Sequence, residues 1–324
     1  MIPQGWLLEA RQILADHITV TPVTYDPALE VFLKWENRQI TGSFKIRGAY
    51  NKIASLLPWE RELGLVTASA GNHGQGVAYA ARDFGAKVVI FASDHAVPTK
   101  VDAMRLLGAD VRLVPGGYPE AEAAGLSFAQ GTGMTWISPY NDGRVIAGQA
   151  TIGFEICEQI HPFNVESVIV PVGGGGLITG IALALRAKGI HSRIIGVQSE
   201  ATACMHALYN GRSQDSVVEW ESLADGLSGK VEETSITIPV VRELVDDMIL
   251  VSEDSIKDAI GYAWHEYQEV IEGSAAVTLA AVRSGKVDHL PAVLIISGGN
   301  IQPAVHRSLA AKYAMQRGEI DRPV

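Results

Sequence analysis

Ser167-Val-Ile-Val-Pro-Val172 runs straight into Gly173-Gly-Gly-Gly176 and then into the helical pattern Leu177 to Lys188. A β-branched run, a turn of small residues and a helix form one repeat of a parallel α/β layer. The unit recurs at Ala68 to Gly76, after the apolar run Leu63 to Ala68. Further strands are predicted at Lys87 to Ala92, Asp110 to Val114, Thr135 to Ile137, Arg193 to Gln198, Met248 to Val251 and Ala292 to Ser297. Their nearly continuous apolar character suits strands covered on both faces. Helices are predicted over Gly48 to Leu57, Asn72 to Phe84, Pro98 to Leu107 and Val145 to Ile160, with Gly85 and Gly108 as stops. Each strand, turn and helix unit points backbone amides at its turn, which suits phosphate or carboxylate. The tetraglycine does not read as a nucleotide loop. Counted from Gly173 or Gly174, the third glycine of GxGxxG falls on Ile178 or Thr179, and no Gly-Lys-Ser/Thr follows. A single phosphate outside a nucleotide fits it better.

The 324 residues suffice for two domains or one large α/β domain. Apolar residues make up 47% and charged residues 19%, so most of the chain is expected to fold. The balance of 26 Lys+Arg against 36 Asp+Glu, a formal charge of −10, opposes binding to nucleic acid or anionic membranes. With neither a leader pattern at Met1 to Ala10 nor a membrane-length apolar run, the expected location is the cytoplasm. Cys157 and Cys204 stand apart, without CxxC or HExxH patterns, so both read as buried free thiols and no metal is expected.

Three more clusters carry candidate chemistry. Thr41-Gly-Ser-Phe-Lys-Ile-Arg-Gly-Ala49 sets a lysine among small residues ahead of an amphipathic helix. Most lysines are solvated surface charges, and alone this one would be too. Ser69-Ala-Gly-Asn-His-Gly-Gln-Gly76 holds more hydrogen-bonding side chains and glycines than capping a helix requires, and its amides suit a carboxylate. Ser297-Gly-Gly-Asn300 closes the last strand and in isolation is a plain turn.

Taken in this order, Ser43 to Ala49, Ser69 to Gly74, Gly173 to Gly176 and Ser297 to Asn300 resemble the fold type II pyridoxal-phosphate enzymes, and within them the threonine and serine dehydratases. The resemblance runs from about Thr21 to Asn300 and takes in Val145-Ile-Ala-Gly-Gln149, Gly196-Val-Gln-Ser-Glu200 and Ala224-Asp-Gly-Leu227. It implies an α/β fold like that of the tryptophan synthase β chain, with two open, twisted, mainly parallel sheets flanked by helices. Residues 1–40 with 139–324 would form a large cofactor-binding domain, and residues 41–138 a small one. It also implies pyridoxal 5′-phosphate bound through Lys45, the catalytic residue, with Phe44 beside the ring and Asn72 on its phenolic oxygen. Gly173, Gly174, Gly175 and Gly176 would hold the phosphate. Ser297 would meet the ring nitrogen next to Gly298, Gly226 would face the other side of the cofactor, and Glu272 would lie near the ring. Ser69, Ala70, Gly71, Asn72 and His73 would bind the carboxylate of a small amino-acid substrate.

The implied reaction is loss of water from L-threonine, and from L-serine, to give 2-oxobutanoate or pyruvate and ammonia. Lys45 would act as the base at the α-carbon. Serine racemases of the family carry a serine where this chain has Ala70, and alanine cannot transfer a proton, so little racemisation is expected. Gln198 and Cys204 stand near the places where racemase-like members hold a divalent cation with acids, and the expectation is again no metal. Dehydration of hydroxyaspartate or another β-hydroxy amino acid, and β-replacement, are the neighbouring reactions. A non-catalytic amino-acid sensor and a nicotinamide oxidoreductase relying on Glu200 are the readings from other classes. The resemblance is to the short form, for which no C-terminal regulatory domain is expected, and a homodimer or homotetramer is expected. Substrate choice would turn on positions near Ser138, Tyr140, Asn141 and Gly226.

Overall fold

The computed structural model describes residues 2–318 and holds two sheets. The strands are β1 Val23–Asp26, β2 Val31–Trp35, β3 Leu65–Ala68, β4 Val88–Ser93, β5 Asp110–Val114, β6 Thr135–Trp136, β7 Ser167–Pro171, β8 Arg193–Ser199, β9 Asp247–Val251 and β10 Ala292–Ile296. The larger sheet has the order β1-β2-β10-β7-β8-β9, parallel except for β1 against β2, and the smaller one, β5-β4-β3-β6, is parallel throughout. The central strands β3, β7 and β10 are buried at every residue, whereas the edge strand β5 buries only Val111. Full burial on both faces follows from helices covering each side, which is why these strands read as unbroken apolar runs. One face of the larger sheet packs Leu33, Ile195 and Leu294 beneath the helix Gly273–Arg283, and the other packs Val168, Val170 and Ile295 beneath the helix Gly176–Ala187.

The structure corrects several boundaries and adds elements. The helix expected from Gly48 runs over Lys45–Ala54, because Gly48 is an interior packing position rather than a start. A Cβ at Gly148 would lie 2.4 Å from the Arg47 carbonyl and 2.7 Å from Gly48 Cα, so this helix and Gly143–Gln159 meet backbone to backbone. Asp142 caps the second of these, its carboxylate accepting from the Arg144 and Val145 amides. Gly85 and Gly108 end their helices at φ +64° and +93°, as expected. Leu63 closes the short helix Pro58–Leu63 instead of opening β3. The strands β1 and β2 and several helices, among them Tyr118–Thr132, Glu253–Tyr267, Gly273–Arg283 and Pro303–Gln316, lie outside the sequence expectations. Cys204 is buried, but Cys157 is only partly so.

Beneath the Lys45–Ala54 helix lies a buried ionic cluster. Arg47 donates to Glu36 at 2.7 and 2.9 Å and to Glu155 at 2.6 and 2.9 Å. Lys34 reaches Glu155 at 2.5 Å and the Thr21 carbonyl at 2.7 Å. Two cations face two carboxylates, so the cluster is neutral and its members are hydrogen-bonded, the condition under which charges can be buried. It fastens the helix that begins with Lys45 to β2 and to the helix Gly143–Gln159.

Candidate active site

Four turns meet at the carboxyl ends of β3, β7 and β10, where parallel sheets leave a crevice for ligands. The turn after β10 meets the segment before Lys45 directly. Ser43 and Gly298 form an antiparallel bridge, the Phe44 amide donates to the Ser297 carbonyl at 3.0 Å, and the Gly299 amide donates to the Gly42 carbonyl at 2.9 Å. Lys45, the first residue of its helix, is partly buried, and its Nζ donates to the Pro139 carbonyl at 3.1 Å and lies 5.3 Å from the Phe44 ring centre. Burial lowers its pKa to about 8, and the field of Glu272 opposes that shift. Such an amine has a substantial neutral fraction near physiological pH.

After β7 come the four glycines. Gly175 is the N-cap of the helix Gly176–Ala187 at φ +85°, and no side chain caps the helix, so its first amides are left to another acceptor. A Cβ at Gly174 would lie 2.4 Å from Cγ of Tyr140, whose hydroxyl accepts from the Glu232 amide at 2.9 Å. A Cβ at Gly173 would lie 3.1 Å from Leu227 Cα, and Thr237 donates to the Gly174 carbonyl at 2.7 Å. The turn is therefore held from both sides, and side chains on it would fill the cradle.

After β3, Ser69 and His73 are buried, Gly71 and Asn72 are partly buried, and Ala70 is exposed. The Ser69 hydroxyl accepts from the Gly71 amide at 3.1 Å. His73 Nε2 donates to the Ile137 carbonyl at 3.1 Å, leaving Nδ1 buried without a partner among the described residues. Burial, with Lys45 adding to it, pushes the His73 pKa down to about 3, so the ring is neutral. Asn72 donates to Glu272 at 2.6 Å and accepts from Asn300 Nδ2 at 2.7 Å, so one of its two amide hydrogens is already engaged. Burial and Asp225 raise Glu272 to about 7 against the opposing pull of Lys100. The Gly226 amide bonds Asp225 at 2.8 Å and Ser274 at 3.0 Å.

Two neighbours of the site had no sequence signal strong enough to find them. Lys100 sits on a helix where a lysine reads as a surface charge, and Asp225 sits in a short turn where an exposed acid reads as solvated. Of the positions considered for substrate choice, Ser138 accepts from the Asn141 amide at 3.0 Å, and Asn141 donates to Glu232 at 2.7 Å. Gln198 spends its amide locally, accepting from the His206 amide at 2.7 Å and donating to the Thr202 carbonyl at 3.1 Å. Among the described residues no helix is long and apolar enough to cross a membrane.

Comparison with known proteins gives this geometry its relatives. The family model described as "Pyridoxal-phosphate dependent enzyme" matches residues 14–298. An L-threonine ammonia-lyase of Thermotoga maritima is 42% identical over 308 residues, 93% of this chain and 76% of that protein. The catabolic L-threonine dehydratase TdcB of Escherichia coli is 40% identical over 305 residues, 91% of this chain and 92% of that one. Among solved structures, the processed form of threonine deaminase isoform 2 from Solanum lycopersicum matches with a TM-score of 0.83 at 33% identity, over 95% of this chain and 93% of that one. Maize serine racemase matches with a TM-score of 0.85 at 29% identity, over 97% and 98%.

Proposed function

The chain belongs to the pyridoxal-phosphate dependent enzymes, and from that premise we propose that it is a threonine ammonia-lyase, converting L-threonine to 2-oxobutanoate and ammonia and acting on L-serine in the same way. The observation that carries the reading is Lys45, an amine lowered to about 8 by burial, beside three turns of complementary chemistry. Uncapped amides at the tetraglycine suit a phosphate, the β3 turn suits a carboxylate, and Ser297 is a neutral partner for a pyridine nitrogen. The residues present therefore fit pyridoxal 5′-phosphate. Lys45, Phe44, Asn72, Gly173 to Gly176, Gly226, Glu272, Ser297 and Gly298 would hold it.

Bound there, the cofactor supplies an electron sink that acidifies the α-carbon of the amino acid joined to it. Lys45 Nζ, neutral in a large fraction near pH 8, takes the α-proton and, as an ammonium, donates a proton to the departing β-hydroxyl. Threonine thus loses water, and hydrolysis of the resulting enamine releases ammonia and the 2-oxo acid. Ser297, a neutral partner, would not hold a proton on the ring nitrogen as an aspartate would, which would favour prompt elimination over transamination. Ala70, exposed beside the carboxylate turn, has no proton to give to the opposite face, so dehydration proceeds with little racemisation.

The β3 turn belongs to a small domain of residues 41–138, a reading supported by the way the four strands of the smaller sheet all fall inside that range. The protein works in the cytoplasm as a homodimer or homotetramer. Reduction of the yellow protein with borohydride, followed by peptide mass mapping, is expected to find the cofactor on Lys45. A label on any other lysine overturns the assignment.

A further inference from the structure

The argument here rests on reading the Ser69 to His73 turn as the seat of the substrate carboxylate. A carboxylate entering a partly buried site needs compensation for its lost hydration, and a cation supplies it most strongly. The turn has none of its own. Ser69, Ala70, Gly71 and Asn72 are uncharged, and His73 is neutral. Lys45 is committed first to the cofactor and then to the α-proton and the departing hydroxyl. The other amine at the turn is Lys100, on the helix Pro98–Leu106.

The stem of Lys100 lies over the turn. A Cβ built on Gly71 would sit 3.6 Å from Lys100 Cδ and 3.8 Å from its Nζ. Its side chain is 16% exposed, unlike that of Lys230, which pairs with Asp215 at 60% exposure and reads as an ordinary surface ion pair. From this position Nζ reaches Asp225 Oδ2 at 3.2 Å, a partner that is itself 60% exposed. A single contact to a solvated carboxylate is weak and exchangeable. A flexible lysine stem can change partners over a few ångströms.

We propose that Lys100 is a substrate-binding residue whose ammonium exchanges Asp225 for the carboxylate lying on the Ser69 to His73 turn. The exchange explains why the lysine stem lies in contact range of Gly71, with its ammonium at the edge of the turn. It also makes Lys100 a discriminator for the acid over its amide.

The test uses the holoenzyme and two ligands without an amine, 3-hydroxybutanoate and 3-hydroxybutanamide, titrated by calorimetry. Lys100→Met should weaken the acid about ten- to hundredfold, the range for a lost charge-assisted hydrogen bond, while changing the amide by less than about twofold. Lys100→Arg should restore most of the preference. In turnover, the ratio of kcat/KM for L-threonine over L-threoninamide should fall by a similar factor in Lys100→Met, through KM more than kcat. Equal losses for acid and amide, or no loss, overturn the role of Lys100 and leave the turn's assignment standing. A wild-type enzyme that holds the amide as tightly as the acid overturns the carboxylate turn itself, and this proposal with it.

Discussion

Replacing Lys45 by methionine in the cofactor-free protein should raise its stability near neutral pH, because the amine is kept from water in the native fold. Burial lowers its pKa from 10.5 to about 8, a displacement equivalent to a penalty of about 3 kcal/mol. Methionine keeps the stem's length but loses the hydrogen bond to the Pro139 carbonyl, which offsets about 1 kcal/mol. The remaining gain of about 2 kcal/mol corresponds to about 4 °C in Tm for a chain of this size. The sign follows from linkage. A depressed folded pKa means that the unfolded chain binds more protons between pH 8 and 10.5, so wild-type stability rises across that window. The advantage of Lys45→Met should therefore be constant below pH 8 and shrink toward pH 10.5. Scanning calorimetry of the two cofactor-free proteins from pH 6.5 to about 10.5 measures it. A variant less stable than wild type at pH 7, or a difference unchanged across the window, would refute the claim that the fold strains this amine toward its neutral form.

Glu272 should show the opposite slope. Its pKa rises from 4.5 to about 7, so its contribution is complete below pH 4.5 and lost as pH climbs through 7. Glu272→Gln should gain on wild type over that interval and hold a constant lead above it, and coincident melting curves at all pH values would contradict this. Gly174→Ala should drive a methyl into the Tyr140 ring, 2.4 Å away. The affinity for pyridoxal 5′-phosphate should then drop by at least about tenfold while that for pyridoxal changes little, as expected for damage to an anion cradle; equal losses would place the harm elsewhere. Arg47→Met leaves the fully buried Glu36 without its cation and should cost about 3–5 kcal/mol in urea unfolding. A loss below about 1 kcal/mol would mean that the cluster adds no more than an exposed pair.

Strands buried at every residue were the plainest to read in the sequence. The strands β3, β7 and β10 are covered on both faces and read as apolar runs, and the turns after them kept their glycines and polar residues together. What stayed hidden depended on partners far along the chain. Lys34 places a charge inside the interior strand β2, and its compensation comes from Glu155, 121 residues away. Gly48 looked like a helix start, whereas it serves an approach to Gly148 that no local pattern announces. The helix Tyr118–Thr132 mixes alanines, glycines and acids with little periodicity, so its sequence carries no helical signal. Within the site, the four motifs were visible because each is a turn of unusual composition. Lys100 and Asp225 were not, since their meeting across 125 residues is a property of the fold alone.

The central claim is tested most directly by the absorption spectrum of the purified protein, followed through the near ultraviolet and visible before and after addition of L-threonine, with 2-oxo acid assayed in the same cuvette. The account predicts a chromophore attached through Lys45, a spectral shift on adding threonine, and 2-oxobutanoate and ammonia in equal amounts. A chromophore that never responds to threonine or serine, or a protein that takes up no cofactor when it is supplied, would contradict it.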